Sequence, residues 1–386
     1  MISDINFKKS AFESFKYNSI SFIKKNAVLC IAFAAALITS VIVPPDSEYL
    51  GYFDLNTLSC LFATLAVICA LKNIRFFSIL AEKIVALTGT LRASAIAIIY
   101  ITFIGSMLIA NDMALLTFLP LGYFVLHRTD NEKHMAKLFV LQNIAANLGG
   151  MVTPFGNPQN LYLYSYFNIP TVEFMGIMFP PFALAVTMIT LCCFLFPKTE
   201  LHLNSFDHKR LSVKRTAYYL ALFAVSIIIV FRVIPYYIGL PIVFFGILFS
   251  DRNALKNVDY ALLFTFVFFF IFAGNMARID AVNNLLSYLL SKNTLIFSVI
   301  SCQFISNVPS AVLLSHFTTD YKSLLMGVNI GGTGTLIASL ASLITFKNYV
   351  SFNPGCAGKF VKVFTIFNFA FLFILSIFCF FIINLF

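Results

Sequence analysis

The chain is predicted to be an all-α polytopic membrane protein with about ten transmembrane helices and two re-entrant hairpins, built as two inverted-topology repeats. Three observations lead there. Its 386 residues are 60% hydrophobic and only 11% charged, with a mean hydropathy of +0.90. A soluble domain is about 45–50% apolar and 25% charged. Many of its apolar runs approach the ~20 residues that span a bilayer. Its basic residues are gathered in the connections between those runs.

The elements follow in order. Residues 1–25 form a basic leader in which Phe7, Phe12, Phe15 and Phe22 alternate with lysines. That pattern predicts an interfacial amphipathic helix on the cytoplasmic surface. The first span begins at Asn26 and lacks a signal-cleavage pattern. Further apolar runs cover 55–71, 93–126, 138–168, 174–196, 216–234, 239–250, 258–273, 294–317, 323–345 and 363–385. The first repeat is expected over 26–196 with its hairpin at 93–126. A cytoplasmic loop and linker helix follow over 197–234. The second repeat occupies 235–386 with its hairpin at 294–317.

Charge sets the topology. Segments 1–25, 72–92, 127–137, 197–215, 251–256 and 346–363 hold 22 of the 26 lysines and arginines. The positive-inside rule places all six in the cytoplasm. The N-terminus is then inside and the C-terminus outside. The net charge of +10 is spent on this sidedness, and no nucleic-acid partner is expected. Segments 72–92 and 127–137 share a side, so the run 93–126 must enter and leave on that side. It is either two spans with a tight turn or a re-entrant hairpin. The eight cysteines, mostly inside apolar spans, read as small buried hydrophobes.

The halves resemble each other. "LIANDMALL" aligns with "FISNVPSAVLL", pairing Asn111 with Asn307. "QNIAANLGGMVTPFGN" aligns with "VNIGGTGTLIASLASL", pairing Asn143 with Asn329 and Asn147 with Thr333. Inverted repeats with interrupted helices meeting near the midplane are the layout of many secondary transporters.

Four broken elements carry the candidate site. They are Ala110-Asn111-Asp112, "GGMVTPFGNPQN" at 149–160, Ser306-Asn307-Val308-Pro309, and "NIGGTGT" at 329–335. Half-helix N-termini present unpaired N–H groups and a positive dipole end to an anion. Freed carbonyls and amide or hydroxyl oxygens suit Na⁺ or a proton relay. Asn111, Asp112, Asn147, Thr153, Asn157, Ser306, Asn307, Thr333 and Thr335 are the predicted substrate and ion ligands. Asn111, Asn157, Asn307 and Thr335 are the candidates for Na⁺. Plainer roles compete: Asp112 as a helix cap, the glycines as close-packing points, and Gln159 and Asn160 as caps. An acid inside a span is nonetheless a functional hypothesis by default. No Walker lysine and no H-E-x-x-H motif is present, and no second acid faces Asp112, so an enzyme is not expected.

"IANDMALLTFLPL", "TPFGNPQNLYLY", "FISNVPSAVLLSHF" and "VNIGGTGTLIASLASL" resemble the ion transporter superfamily, which includes arsenite permeases, citrate-type carriers and divalent-anion/sodium symporters. The resemblance runs from about residue 26 to the end. It implies an elevator-like or rocking movement; the symporters of that group hold Na⁺ and carboxylate between hairpin tips and broken helices. The symporters carry Ser-Asn-Thr at both tips. Here Asn111 and Asn307 are kept and neither flanking pair is complete. The Ala-Asn-Asp tip is similar to that of the arsenite-permease branch, which implies proton coupling. The expected function is secondary active transport of a small oxyanion or carboxylate across a bacterial inner membrane, coupled to H⁺ or Na⁺. The alternatives are a sodium–proton antiporter and, from other classes, a passive channel or an intramembrane enzyme. No cofactor is expected beyond Na⁺ as coupling ion. The expected partners are the anion, the bilayer and a second copy in a homodimer.

Overall fold

The computed structural model describes residues 26–201 and 211–383; the leader 1–25 and part of the loop 197–215 lie outside them. The described chain is helical from end to end. The first repeat opens with α1 (Ala27–Ile42), α2 (Leu55–Asn73) and α3 (Phe76–Ala86). It continues with α4 (Leu91–Ile109), α5 (Asn111–Arg128), α6 (Met135–Gly149), α7 (Pro158–Tyr166) and α8 (Thr171–Cys193). Three helices bridge to the second half: α9 (Val213–Val230), α10 (Tyr236–Ser250) and α11 (Arg252–Lys256). Then come α12 (Tyr260–Ala277), α13 (Asp280–Lys292), α14 (Thr294–Ile305) and α15 (Asn307–Leu314). The chain closes with α16 (Tyr321–Ile330), α17 (Leu340–Phe352) and α18 (Ala357–Ile383). Among the described residues, α2, α4, α8, α9, α12 and α18 are long and apolar enough to cross a membrane, and α1, α10 and α14 are shorter apolar helices. The protein is a multi-pass, all-α membrane protein. Its exposed apolar side chains, such as Val41, Phe179, Phe249 and Phe373, would be an aggregation liability in water; here they face lipid.

The chain forms two compact units. One comprises the described residues up to Phe53 together with Asp259–Asn283. In it α1 packs along α12. Phe33 meets Phe268 edge to face at 5.0 Å, and the Asn275 amide donates to the Thr39 and Ser40 hydroxyls, both at 3.3 Å. Arg278 closes its polar end on Asp46 at 2.6 Å and Glu48 at 3.3 Å.

The other unit spans Asp54–Val258 and Asn284–Phe386 and contains every candidate site residue. Its α2 is mostly buried and packs against α7, α9 and α10. The order of elements recurs in the two halves: α2 to α8 is matched by α12 to α18. The match extends to the first caps. Asp54 accepts the Thr57 N–H at 3.0 Å and Asp259 accepts the Leu262 N–H at 3.0 Å, so each of the two matched runs of helices opens on an acidic N-cap.

The structure departs from the sequence reading in three places. Segment 72–92, read as a loop, holds α3, whose Phe77, Ile79, Ala81 and Val85 are buried. The segment after α12, also read as a connection, holds the amphipathic α13; its Leu290 is buried and its Tyr288 exposed. The two hairpins are unequal. The first has arms of 19 and 18 residues, each within the length range of a full span. The second has arms of 12 and 8 residues. Both are capped at the base: the Thr90 hydroxyl accepts the Ala93 N–H at 3.3 Å in the first, and the Asn293 side chain accepts the Ile296 N–H at 2.8 Å in the second.

Both interrupted runs break where the sequence places its glycines, and several of those glycines are close-packing points. A Cβ on Gly149 would stand 2.4 Å from the Phe103 carbonyl and from the Ser106 hydroxyl of α4. One on Gly327 would stand 2.6 Å from Ser298 Cβ, and one on Gly331 2.9 Å from the Cys302 sulfur, both on α14. Gly334 alone needs glycine's backbone freedom, with φ at +115°.

Candidate functional site

Each hairpin turns on a single residue. Ala110 has φ 64° and ψ 152°, and Ser306 has φ 74° and ψ 159°. This region of backbone space is essentially reserved for glycine, and costs about 1–3 kcal/mol for other residues. Two non-glycine residues at matching places in both repeats share it. The strain aims the first turn of the next helix: Asn111 and Asn307 begin α5 and α15. Both asparagines are buried. Asn111 Oδ1 accepts the N–H of Asp112 at 2.9 Å, and Asn307 Oδ1 accepts the N–H of Val308 at 2.9 Å. Those bonds fix which side of each amide is oxygen and turn its NH₂ toward the neighbouring broken helix. We expect Ala110→Gly and Ser306→Gly each to stabilise the protein by about 1 kcal/mol, because glycine occupies this conformation without strain. Thermal unfolding in detergent reads the effect; a loss in both variants would show that the tips are unstrained.

The broken helices are tied to the hairpins by a repeated bond. Thr153 donates its hydroxyl proton to the Met107 carbonyl at 3.1 Å. Thr335 donates to the Gln303 carbonyl at 3.1 Å. Met107 and Gln303 each lie three residues before a strained tip. These two predicted ligands thus hold each break against the first arm of its hairpin.

Within this frame the first tip joins a chain of buried amides. Asn111 Nδ2 donates to Asn147 Oδ1 at 3.2 Å. Asn157 Nδ2 donates to the Asn147 carbonyl and to Asn329 Oδ1, both at 3.4 Å. Asn329 Nδ2 donates to Asn160 Oδ1 at 2.6 Å. Asn160 in turn caps the end of α6 by donating to the Gly150, Met151 and Thr153 carbonyls at 3.1–3.2 Å. The capping reading of Asn160 is therefore the one realised. Two atoms of the chain remain without a protein partner among the described residues: Asn147 Nδ2 and Asn157 Oδ1. A sealed, unpaired amide atom costs about 1–3 kcal/mol. This unpaired donor and this unpaired acceptor are the polar atoms of the chain left for a bound solute, ion or water.

The second tip is held differently. The Asn307 N–H donates to the Ala338 carbonyl at 2.9 Å, and the Ser306 hydroxyl donates to the same carbonyl at 3.3 Å. Thr333 turns its hydroxyl back onto the Ile330 carbonyl at 2.6 Å, capping the end of α16. The four residues named for Na⁺ therefore fall into two groups: Asn111 and Asn157 meet around Asn147, while Asn307 and Thr335 belong to the second tip and its clamp. Asp112 is half-buried in the first turn of α5, where a helix dipole favours negative charge. Its counterpart in the second tip is Val308.

Three contributors were absent from the predicted site. Gln303 donates to the Gly331 carbonyl at 2.9 Å and the Thr333 carbonyl at 3.2 Å, and accepts the Thr335 N–H at 2.9 Å. Asn329 links the two repeats through Asn157 and Asn160. Asn143 does the same in the opposite sense, donating to the Ser342 hydroxyl at 3.3 Å and accepting from Thr345 at 3.3 Å. Asn143 and Asn329 were visible as an aligned pair. Gln303 had one signal, a lone amide in an apolar hairpin arm.

Two breaks, two strained tips and a chain of buried amides at the first of them make up the candidate site, and the sequence shows the family. The family model described as citrate transporter (CitMHS) matches residues 19–321. The chain belongs to this family. It is thus a membrane transporter of the CitMHS type, within the superfamily that its motifs resemble. Relatives of the family member agree. An uncharacterized transporter of Methanocaldococcus jannaschii is 33% identical over 81% of this chain and 85% of its own. The inner membrane protein YbiR of Escherichia coli is 29% identical over 70% and 74%. A silicon efflux transporter of Oryza sativa is 29% identical over 42% of this chain and 33% of its own length. Among solved structures, the YdaH transporter of Alcanivorax borkumensis superposes with a TM-score of 0.51 over 91% of this chain and 96% of its own. At 11% identity that likeness concerns the fold alone.

Proposed function

We propose that this CitMHS-type transporter moves a small oxygen-bearing anion, a carboxylate or oxyanion, across the inner membrane by alternating access, coupled to H⁺ or Na⁺ through Asp112. One observation carries the reading: the two tips share one region of backbone space and the same asparagine bond to the next N–H, 2.9 Å in both, yet only one bears an acid. Helix N-termini of α5, α7, α15 and α17 stand at the breaks and supply the N–H groups that favour an anion. At α5 that positive end already faces the charge of Asp112, which marks the first tip for the coupling cation. The second tip, without an acid, is left to the anion. The family's description names citrate, a small carboxylate.

The test is uptake into proteoliposomes of citrate, arsenite and phosphate, each driven by a pH gradient or by a Na⁺ gradient. Accumulation of one of them under one gradient supports the reading. Dissipation of a pH gradient by Na⁺ alone, with none of the anions moved, would replace it with sodium–proton antiport.

A further inference from the structure

Four basic residues lie outside the six segments assigned to the cytoplasm: Arg232, Arg278, Lys292 and Lys322. Three are engaged. Arg232 donates to the Asn168 side chain and the Tyr164 carbonyl. Arg278 pairs with Asp46 and Glu48, and Lys322 lies 3.7 Å from Glu173. Lys292 makes no ion pair among the described residues. Its ammonium stands 5.0 Å over the Tyr288 ring and lines a cavity of about 850 Å³.

The cavity sits at the base of the second hairpin, where the Thr294 and Thr318 hydroxyls come within 3.4 Å. It also takes in Tyr166 at the end of α7 and the loop before α16. It therefore lies at the far ends of α7 and α15 from the tips. Helices of 9 and 8 residues at 1.5 Å per residue put it about 12–14 Å from Asn157 and Asn307. α7 and α15 pack together. Their seam is shut by Tyr162 and Ser315 at 2.8 Å and by Tyr166 and His316 at 3.4 Å.

The lining suits an anion. Serine and threonine hydroxyls dominate its polar part; those of Ser291, Thr294 and Ser315 donate to the Tyr288, Leu290 and Val312 carbonyls, while Thr319 and Ser323 share the lining with Lys292. The His316 imidazole is part of the lining. Its Nδ1 lies 3.4 Å from the Tyr166 hydroxyl, one of the two donating to the other. The one carboxylate of the lining, Asp320, is committed to capping α16 through the Ser323 N–H at 3.1 Å. The Lys292 ammonium is left to meet an incoming charge.

We propose that this cavity is an anion-docking vestibule on the outer face, where Lys292 and the surrounding hydroxyls hold a small oxygen-bearing anion before it passes along the α7–α15 seam to the tips. The onward passage rests on the function proposed above; anion capture rests on the cavity alone and is tested without transport.

The probe is a thiol at the cavity rim, Thr319→Cys, in right-side-out phosphatidylcholine vesicles. The endogenous exposed cysteine, Cys356, falls in a segment assigned to the cytoplasm and is removed as Cys356→Ser. Modification by a membrane-impermeant sulfonate-bearing methanethiosulfonate is compared with modification by its trimethylammonium counterpart. One charge meeting another in a wet pocket changes encounter several-fold. The sulfonate-to-ammonium rate ratio should fall about three- to tenfold on Lys292→Gln and hold on Lys292→Arg. Citrate or inorganic phosphate should slow the sulfonate reagent only while Lys292 is present.

An unchanged ratio in Lys292→Gln, or labelling only from the inner face, would overturn the proposal. So would protection conferred by phosphatidylglycerol in the bilayer in place of the soluble anions, which would make the occupant a lipid headgroup. For an anion found to be transported, Lys292→Gln should raise KM from the outer face with kcat kept. An unmoved KM would remove the vestibule from the path. Absence of transport for every anion tested, with the labelling ratio intact, would fall on the proposed function and leave the docking site standing.

Discussion

Asp112→Asn is expected to lower gradient-driven uptake at least tenfold and to flatten what remains against pH. A tenfold loss corresponds to about 1.4 kcal/mol, modest beside the cost of placing an unneeded acid in a span, roughly 2.5–3.5 kcal/mol on insertion scales. The fold should survive. Asp112 stands in the first turn of α5, where its charge contributes about 0.3–1 kcal/mol through the dipole. Asparagine keeps the shape and the backbone N–H that Asn111 Oδ1 accepts at 2.9 Å. The variant should therefore melt within about 1 kcal/mol of the parent and still bind the anion. Facilitated exchange without a gradient, measured beside driven uptake, separates coupling from binding. Exchange retained while driven uptake disappears would place Asp112 in coupling. Uptake and pH profile both unchanged would reduce it to a helix-end charge. Val308→Asp supplies the complementary measurement: an acid at the second tip should depress anion affinity, because it sets a like charge where the N-terminus of α15 is otherwise free.

The sequence made the fold class and the site's frame legible, and the reasons are physical. A break in an apolar run must be covered by protein or line a cavity, so Gly149, Gly150, Pro158 and the glycines after Asn329 announced themselves. The pairing of Asn111 with Asn307 was readable because a polar residue is rare at that depth; the structure gives the two the same bond to the next N–H. Other features were hidden. The backbone angles of Ala110 and Ser306 leave no trace in residue type, since glycine would be the expected choice. The roles of Thr153 and Thr335 as ties to the hairpin arms depend on which carbonyl each hydroxyl meets, and single-chain patterns do not encode that. α3 and α13 were missed because each is too short or too polar to register as a span. Their apolar stripes needed a 3.6-residue reading in segments given over to charge counting.

Gln303→Met should be the most destabilising of the conservative changes near the site. The substitution puts into the second hairpin the residue type that the first carries at the matching place, Met107. It keeps the volume and removes the amide. Gln303 Nε2 donates to the Val299, Gly331 and Thr333 carbonyls and Oε1 accepts the Thr335 N–H. The last two carbonyls and that N–H belong to the stretch between α16 and α17, whose turn bonds use neither the Gly331 nor the Thr333 carbonyl. Stranding a buried backbone group costs about 1–3 kcal/mol. Two or three stranded together give roughly 3–5 kcal/mol, near the upper end for a single substitution. Gly334 adds a steric argument. A Cβ there would stand 2.2 Å from Gln303 Oε1, so the loop is moulded around this amide. The first break has the Thr153–Met107 bond in the same position, and no amide stands at the place of Met107. Gln303→Met should then lower the thermal midpoint in detergent well beyond Met107→Leu, and should speed proteolysis within residues 331–339. A midpoint within about 0.5 kcal/mol of the parent would mean that the loop finds other partners and that the clamp, with the asymmetry of the two hairpins built on it, is not what holds the second tip.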